Sequence, residues 1–379
     1  MSDLPPPRAA YVHVPFCARR CGYCNFTVVA GRDDLVDAYL AALARELSSL
    51  AEPRPVATLF VGGGTPTQLP AAALRKLLEL IRRWFPPEEG AEFSVEANPS
   101  NVDTALVDLL AREGVNRLSL GAQSFDAETL AVLERDHRAD QIERAVQLAR
   151  PRMTSVSLDL IFAAPGQTLE AWRTDLETAC RWQPDHLSTY GLTWEKGTAF
   201  FGRRARGLLQ PADEELERRM YELALDTLPA NGWEHYEVSN FARPGHRCRH
   251  NEVYWSGGSY YAAGPGASRH VDGWRETNHR STTTYIRRVL AGEDPVEQRE
   301  RLAPEDRARE RLVLGLRRSV GVDARQFQAS TGYALETLEG AAIERLVRQR
   351  LLCWNGPRLQ LTREGLMVSD SLWPELVRV

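Results

Sequence analysis

Long apolar runs are absent from this sequence. No stretch approaches the roughly 18 uncharged apolar residues that a membrane-spanning helix requires, and the first residues contain no apolar segment like that of a secretory signal. We therefore expect a cytoplasmic protein without a transmembrane segment.

Basic charge is not in excess either. Only Lys76 and Lys196 are lysines, and 47 basic residues are set against 51 acidic ones, for a formal net charge of −4. Proteins that bind nucleic acid usually carry a basic excess. The composition therefore predicts no nucleic-acid partner.

Cysteine is scarce, with six residues in a chain of 379. So few thiols do not make the disulfide framework of a secreted scaffold. Three of them, Cys17, Cys21 and Cys24, nevertheless lie close together, which in a reducing compartment indicates metal binding. Cys180 and Cys353 lie in apolar helical patterns and are expected to be packed thiols.

What the sequence does have is an ordinary globular composition, 43% hydrophobic and 26% charged, and a length suited to two or three domains. Its first half alternates β-rich runs with helical patterns, which predicts an α/β fold with a parallel sheet. The predicted strands are Tyr11–Val14, Thr58–Val61, Phe93–Glu96, Arg117–Leu120, Ser155–Ile161 and His186–Tyr190. The predicted helices are Asp34–Leu50, Ala71–Trp84, Thr104–Glu113, Gln141–Ala149 and Leu169–Trp182, with Asp33 and Asp103 as N-caps. Six such strands form an open sheet or a partial (β/α)6 TIM-like barrel.

The pattern changes twice along the chain, which predicts three regions: a barrel over 1–230, an extension over 231–295 and a small helical domain over 296–379. The extension is rich in glycine, histidine and aromatic residues and has little helical period. The last region resembles a winged-helix appendage. Its predicted elements are the helices Glu305–Arg318, Tyr333–Gln349 and Thr362–Arg378 and the strand Arg358–Leu361.

The cysteine loop follows the first predicted strand. Three thiolates can surround a soft metal centre, whereas a structural zinc ion prefers four ligands. A cubane iron–sulfur cluster held by three cysteines leaves one iron free to bind another group. A zinc site, or three unrelated cysteines, remains the alternative.

Other unusual residues also follow strands. They are the run Gly62–Pro66, Glu96 before Asn-Pro, Gln123 after the fourth strand and Asp159 within the fifth. The carboxyl ends of parallel strands share one face, where such folds place their active sites. Each has a plainer interpretation: the glycine run as a tight turn, Glu96 as a helix cap, and Gln123 and Asp159 as partners of local backbone groups. Their occurrence in register favours a shared functional site.

These motifs resemble a known family. The C-x3-C-x2-C loop is the cluster signature of the radical S-adenosylmethionine (radical SAM) superfamily. Five segments resemble the oxygen-independent coproporphyrinogen oxidase family within it: Tyr11–Cys17, Val61–Thr67, Glu96–Pro99, Gly114–Phe125 and Asp159–Gln167. The similarity runs over nearly the whole chain and is greatest to the haem chaperone branch of that family.

The resemblance implies two cofactors. A [4Fe–4S] cluster would be held by Cys17, Cys21 and Cys24, and its open iron would bind the methionine amino and carboxylate groups of SAM. The SAM contacts that the resemblance implies are Tyr11, Tyr23, Gly63, Gly64, Thr65, Glu96, Gln123, Arg135 and Asp159. Glycines permit close backbone approach, a carboxylate suits ribose hydroxyls, and an arginine suits a carboxylate.

Two departures bear on the reaction. In the porphyrinogen-decarboxylating members of the family that this chain resembles, the cluster loop follows the pattern C-x3-C-x2-C-x-C. Here Phe26 stands at the position of the fourth cysteine. Those members also have a long segment before the loop, whereas 16 residues precede Cys17 here. Both features argue against coproporphyrinogen III oxidation, which is kept as an alternative beside another radical SAM reaction on a porphyrin, such as methyl transfer or haem degradation.

The segment His250-Asn-Glu-Val-Tyr-Trp255 matches the H-N-x-x-Y-W motif of the haem chaperone branch. Histidine is a common haem ligand, and aromatic residues suit a flat apolar macrocycle. The plainer interpretation is a histidine packed in an aromatic loop, and Cys248 or His246 could ligate instead. We therefore predict haem as a third cofactor with His250 as its contact. The expected partners are a haem-accepting protein, which could be membrane-associated, and an electron donor.

Overall fold

In this computed structural model, residues 6–377 are described. The first half of the chain alternates strands and helices in the order β1 (Ala9–Val14), β2 (Phe16–Cys17), β3 (Val29–Ala30), α1 (Val36–Ser48), β4 (Val56–Gly63), α2 (Ala71–Trp84), β5 (Pro87–Ala97), α3 (Thr104–Arg112), β6 (Arg117–Gln123), α4 (Ala127–Val132), α5 (Ala139–Ala149), β7 (Ser155–Phe162), α6 (Leu169–Trp182) and β8 (His186–Gly191). All six predicted strands and all five predicted helices are present, most within two residues of the expected bounds.

The middle of the chain contains shorter elements: α7 (Ala199–Ala205), α8 (Glu214–Ala230), β9 (Glu234–Glu237), β10 (Asn240–Ala242), α9 (Arg249–Trp255), β11 (Tyr261–Ala263), β12 (Ser268–Val271), β13 (Trp274–Asn278), α10 (Thr282–Ala291) and β14 (Val296–Glu300). Strands β12, β13 and β14 form a separate antiparallel sheet.

The main sheet has nine strands in the order β11-β1-β4-β5-β6-β7-β8-β10-β9. The six predicted strands and β11 are parallel to one another, and β10 and β9 extend the sheet in antiparallel fashion. Within residues 6–377 no pairing joins the edge strands β11 and β9. The sheet is therefore an open, partial barrel rather than a closed one.

The two faces of this sheet differ in chemistry. On one face, alternate strand residues such as Val12, Val61 and Leu118 pack with apolar residues of the surrounding helices into the largest core. The other face carries polar and aromatic residues, and α9 lies against it. Because successive side chains of a strand point to opposite faces of the sheet, each strand contributes residues both to the apolar core and to the polar face.

The C-terminal region has its own hydrophobic core, which Leu312, Phe327 and Leu346 help to form. Its elements are α11 (Pro304–Leu316), β15 (Val322–Asp323), α12 (Ala324–Thr331), α13 (Leu335–Arg348), β16 (Leu352–Asn355), β17 (Arg358–Leu361), α14 (Arg363–Met367) and α15 (Ser369–Val377). The predicted small C-terminal domain is therefore present, and within residues 6–377 it combines five helices with a three-stranded antiparallel sheet in the order β15-β17-β16.

Three local predictions were wrong. Asp33 does not cap α1, because it lies in a short 3-10 turn before the helix. The segment predicted without helical structure around His250 contains α9, which is held by contacts from the main sheet. The predicted final helix is divided into α14 and α15, and its predicted end at Arg378 lies outside the described residues, as do residues 1–5. No helix within 6–377 is long and apolar enough to cross a bilayer.

Candidate cluster and cofactor site

The cysteine loop is closed at its base by backbone pairing. Strands β2 and β3 pair in parallel, with Phe16 opposite Val29 and Cys17 opposite Ala30. The ring of His13 lies beneath the loop, with Nε2 2.7 Å from the Thr27 carbonyl oxygen and Nδ1 2.9 Å from the Tyr11 hydroxyl. The carbonyl can only accept, so Nε2 carries the proton and Tyr11 donates to Nδ1. His13 and Tyr11 thus hold the loop in place from inside the sheet.

A second anchor is Glu134, which the sequence did not single out. Its carboxylate accepts a hydrogen bond from the Gly22 amide at 2.8 Å and pairs with Arg203 at 2.6 Å. The Phe200 amide donates to the Gly22 carbonyl at 2.9 Å. The turn between Cys21 and Cys24 is therefore fixed by residues from α7 and from the segment after α4, which no local sequence pattern reveals.

The three thiols face different partners. Cys17 Sγ lies 3.7 Å from the Thr65 hydroxyl, and Arg135 Nη1 donates to Cys21 Sγ at 3.6 Å. Burial raises the pKa of the Cys17 thiol to about 11 and also raises that of Cys24. These thiols would become thiolates only beside a strong positive charge, which a bound metal centre supplies.

The donor set fits an iron–sulfur cluster. Within residues 6–377, no three His, Cys, Asp or Glu side chains are close enough to share a single metal ion, whereas a cubane can join thiolates that are further apart. Arg135 adds a second observation, because its buried Nε has no hydrogen-bond partner in the described structure. A donor left free beside Cys21 suits an anionic group bound at this loop.

The two carboxylates expected at the site lie on the polar face of the sheet. Glu96 accepts a hydrogen bond from the Gly63 amide at 2.8 Å. Burial raises the pKa of Glu96 to about 7, with a smaller contribution from the nearby charge of Asp159. Asp159 accepts a hydrogen bond from Ser119 at 3.0 Å, and burial raises its pKa as well. The strands thus bring these two acids into electrostatic contact.

The glycine run is required by the protein's own packing. A Cβ on Gly64 would lie 2.7 Å from the Phe16 carbonyl oxygen, and one on Gly63, whose φ is 110°, would meet the His13 ring at 2.3 Å. The Gly64 and Thr65 amides donate to the carbonyls of Val14 and Phe16, both at 2.8 Å. The turn interpretation is therefore correct for the local structure, and SAM contact by this run stays a prediction.

Gln123 and Tyr23 lie at the edge of the same site. Gln123 ends β6 with a φ of 66°, a left-handed conformation that costs a non-glycine residue about 1 kcal/mol or more. Arg135 Nη2 donates to the carbonyl of Gly121, two residues earlier, at 3.0 Å. The Tyr23 ring packs against Phe200 with centroids 6.0 Å apart, and burial raises its pKa. Strained backbone at a strand end is typical of functional sites.

His250 is in a different environment from the cysteine loop. Its side chain is buried, with Nδ1 3.0 Å from the Thr58 hydroxyl and Nε2 2.7 Å from the Tyr254 hydroxyl. The Phe60 ring lies over it at 5.2 Å, and burial lowers its pKa to about 3. Neither ring nitrogen is free for a metal in this conformation. The expectation that His250 ligates haem would require both hydrogen bonds to break.

The residues expected as substitutes for His250 are also engaged. Cys248 is buried, with its thiol 3.6 Å from Glu92, and burial raises its pKa to about 12. His246 Nδ1 lies 3.9 Å from a carboxylate oxygen of Asp185. Glu92 also accepts the amides of Arg249 and His250 at 2.9 and 3.1 Å. The H-N-x-x-Y-W segment is thus built around a carboxylate of β5.

Comparison with known proteins agrees with this arrangement. Residues 11–179 match the radical SAM superfamily, and residues 302–368 match the HemN C-terminal domain. The chain is 35% identical to the haem chaperone HemW of Lactococcus lactis over 378 residues, covering 99% of this chain and 98% of the relative. The chain belongs to the HemW family of radical SAM proteins. The radical SAM family implies SAM and a [4Fe–4S] cluster as cofactors.

Other relatives extend the comparison. HemW of Mycobacterium tuberculosis is 35% identical over 374 residues, covering 97% of this chain and 94% of the relative. The mitochondrial radical S-adenosyl methionine domain-containing protein 1 of Mus musculus is 35% identical over 379 residues, covering 96% and 86%. The structure of Escherichia coli coproporphyrinogen III oxidase, HemN, superposes with a TM-score of 0.86 at 23% identity, covering 98% of this chain and 90% of HemN. At that identity the likeness establishes the shared fold alone.

Proposed function

We propose that this protein is a haem chaperone that binds haem, passes it to an acceptor protein and retains a radical SAM centre. The observation that supports this most strongly is the full-length similarity to several proteins named haem chaperone HemW, at 33–37% identity. In three of these comparisons the aligned region covers 97–99% of this chain, which includes both the core and the C-terminal region.

The cluster loop supports a carrier over a porphyrinogen oxidase. Phe26 stands where the C-x3-C-x2-C-x-C pattern of the decarboxylating members places a fourth cysteine, and it is 65% exposed. An exposed phenylalanine offers no ligand, and it leaves a hydrophobic side chain at the surface beside Cys24. The HemN-like fold does not decide between the two activities, since it is common to both.

At the centre itself, Cys17, Cys21 and Cys24 would hold the cluster. Thr65 and Arg135 would contact its ligand sphere, since both already contact cysteine sulfurs. Glu96, Asp159, Gln123 and the glycine run would contact SAM from the ends of the neighbouring strands. Tyr11 would act through His13 by fixing the loop.

The partners follow from this function. The cluster needs a reduced electron donor, and the haem needs an acceptor protein. We place the protein in the cytoplasm, which is supported by six cysteines that are all free thiols and by the sensitivity of such clusters to an oxidising compartment.

The test is an anaerobic titration of the cluster-loaded protein with haem, followed by the Soret absorption band. We expect saturable binding near one haem per chain, with the cluster absorption retained. A protein that takes up its cluster but shows no saturable haem binding would overturn the proposal.

A further inference from the structure

The surface over the cysteine loop is basic, although the chain as a whole has more acidic than basic residues. Residues 17–32 contain three arginines and no acidic residue, and residues 196–212 contain three arginines, one lysine and no acidic residue. The two segments lie side by side. The Phe200 amide donates to the Gly22 carbonyl at 2.9 Å, and the rings of Phe200 and Tyr23 pack with centroids 6.0 Å apart. The fold therefore brings two segments without acidic residues together at the cluster loop.

Most of this positive charge is not neutralised by the protein. Arg32 is paired with Asp34, and Arg203 with Glu134, at 2.7 and 2.6 Å. Within residues 6–377, the other arginines of the two segments form no ion pair, and all of them are exposed: Arg19, Arg20, Arg204 and Arg206. Uncompensated charge of one sign raises the rate at which a partner of the opposite sign associates.

An exposed aromatic side chain lies beside these charges. Phe26 is 65% exposed, and Arg20 reaches the carbonyl of Cys24, two residues before it, at 3.4 Å. Phenylalanine and arginine are both enriched in protein interfaces. We call this region the loop surface, which consists of Arg19, Arg20, Phe26, Lys196, Arg204 and Arg206.

The loop surface covers the proposed cluster ligands. Cys17, Cys21 and Cys24 are each partly exposed, and on their inner side Thr65 and Arg135 contact the sulfurs of Cys17 and Cys21. A cluster held by these thiols would lie directly beneath the loop surface. Electron transfer becomes much slower with distance, so a protein that reduces the cluster must approach it closely. Electron-transfer partners also form small, transient interfaces, for which attraction between opposite charges is well suited.

We propose that the loop surface docks an acidic one-electron carrier protein. The inference rests on the proposed radical SAM centre and gives its electron donor a binding surface. Carboxylates of the carrier face the unpaired arginines, and Phe26 provides an apolar contact. The reduced carrier loses one electron and the bound cluster gains it, with no bond formed or broken. An acidic haem acceptor could also use positive charge, but the loop surface covers the cysteines, whereas the haem motif lies on α9.

The experiment measures binding of an oxidised acidic flavodoxin to the full-length, cluster-loaded protein by anaerobic isothermal titration, at low and at high ionic strength. Wild type should bind saturably, and more weakly as the ionic strength rises. Arg19→Gln/Arg204→Gln should weaken binding roughly tenfold and reduce the salt dependence. The matched control is Arg83→Gln/Arg144→Gln, which removes two exposed positive charges from α2 and α5.

Two further variants separate docking from damage to the loop. Lys196→Gln/Arg206→Gln changes residues outside the cysteine loop and should also weaken binding. Phe26→Ser should weaken binding without changing its salt dependence. Photoreduction with neutral deazariboflavin should give the same cluster signal by electron paramagnetic resonance in every variant. If Arg19→Gln/Arg204→Gln loses that signal, the result for Lys196→Gln/Arg206→Gln decides.

The contrary outcomes are distinct from failure of the haem function. A wild type that binds neither the flavodoxin nor an acidic [2Fe–2S] ferredoxin overturns the inference, as does equal weakening by the variants and the control pair. Haem titration of the same proteins tests the proposed function separately, and wild-type haem binding together with unchanged carrier binding in both charge variants would overturn the loop surface alone. Weaker haem binding in the charge variants, with carrier binding unchanged, would assign the surface to haem and also overturn the inference.

Discussion

Arg135 Nη1 lies 3.6 Å from Cys21 Sγ while Nη2 of the same guanidinium donates to the Gly121 carbonyl at 3.0 Å. This one side chain joins the cluster loop to the end of β6. A hydrogen bond to a cluster sulfur stabilises the extra electron of the reduced state and so raises the reduction potential. We therefore expect that Arg135 would raise the reduction potential of a cluster bound at this loop, in addition to joining the loop to β6.

Arg135→Gln should lower the reduction potential of the reconstituted cluster, and Arg135→Lys should lower it less because it keeps the charge. Potentiometry followed by electron paramagnetic resonance measures the shift. Arg138→Gln is the control, because Arg138 is exposed and pairs with Asp140. A potential that is the same in Arg135→Gln and in the control would show that Arg135 does not act on the cluster.

Replacing any of Cys17, Cys21 or Cys24 by Ala should abolish stable cluster incorporation, because each would supply one of the three proposed ligands. Iron and sulfide content after anaerobic reconstitution provides the measurement. Cys180→Ala, on α6, should retain the cluster. Wild-type protein that binds zinc and never takes up iron would contradict the assignment.

His250→Ala should destabilise the fold by about 2–4 kcal/mol, because it leaves the Thr58 and Tyr254 hydroxyls unpaired and opens a cavity. Urea unfolding measures this loss. His186→Ala is a matched control, since His186 is also buried with both nitrogens engaged, by Ser157 at 2.8 Å and Tyr236 at 2.7 Å. Loss of haem binding in His250→Ala with wild-type stability would instead identify His250 as a ligand.

The lowered pKa of His250 predicts that the free energy of unfolding depends on pH. Its pKa is about 3 when folded and near 6.5 when unfolded, so the unfolded state binds more protons between these values. Its contribution to stability is complete above about pH 6.5 and is lost as the pH falls toward 3. The slope of unfolding free energy against pH in this window should be shallower in His250→Ala, by up to about 1.4 kcal/mol per pH unit.

The raised pKa of Glu96 predicts that the affinity for SAM depends on pH. With a pKa of about 7, it ionises as the pH rises from 6 to 8, and an ionised carboxylate accepts hydrogen bonds from hydroxyls more strongly. SAM affinity, measured by isothermal titration of the anaerobic cluster-loaded protein, should rise over this range. Glu96→Gln should remove the rise, and Glu89→Gln, an exposed residue of β5, should retain it. The same rise in Glu96→Gln would exclude Glu96 as its source.

The strands of the parallel sheet could be predicted from sequence because each is a short β-rich run between helical patterns, and α2 and α6 have the predicted bounds. Helix α9 could not, because it is seven residues long and its N-terminal amides bind Glu92 of β5 rather than a neighbouring cap. The occupied nitrogens of His250 could not be foreseen for the same reason, since Thr58 lies 192 residues away.

A pocket between the extension and α11 likewise could not be predicted from local sequence patterns. In the sequence, Arg307 and Arg311 look like ordinary charged residues of an amphipathic helix. In the structure they line one pocket together with His270 and Tyr254. By contrast, Cys17, Cys21 and Cys24 lie within eight residues, so their spacing alone was enough to predict a cluster loop. Short motifs can therefore be predicted from the sequence. Whether a given side chain is free to bind a ligand depends on contacts between distant segments, which the sequence does not reveal.

The most direct measurement is chromatography of the tetrapyrroles after the reconstituted protein is incubated anaerobically with haem, coproporphyrinogen III, SAM and a strong reductant. We expect coproporphyrinogen III to be recovered unchanged and intact haem to elute with the protein. Appearance of protoporphyrinogen IX, or conversion of the haem to another product, would contradict a haem-carrying function and favour an enzyme acting on porphyrins.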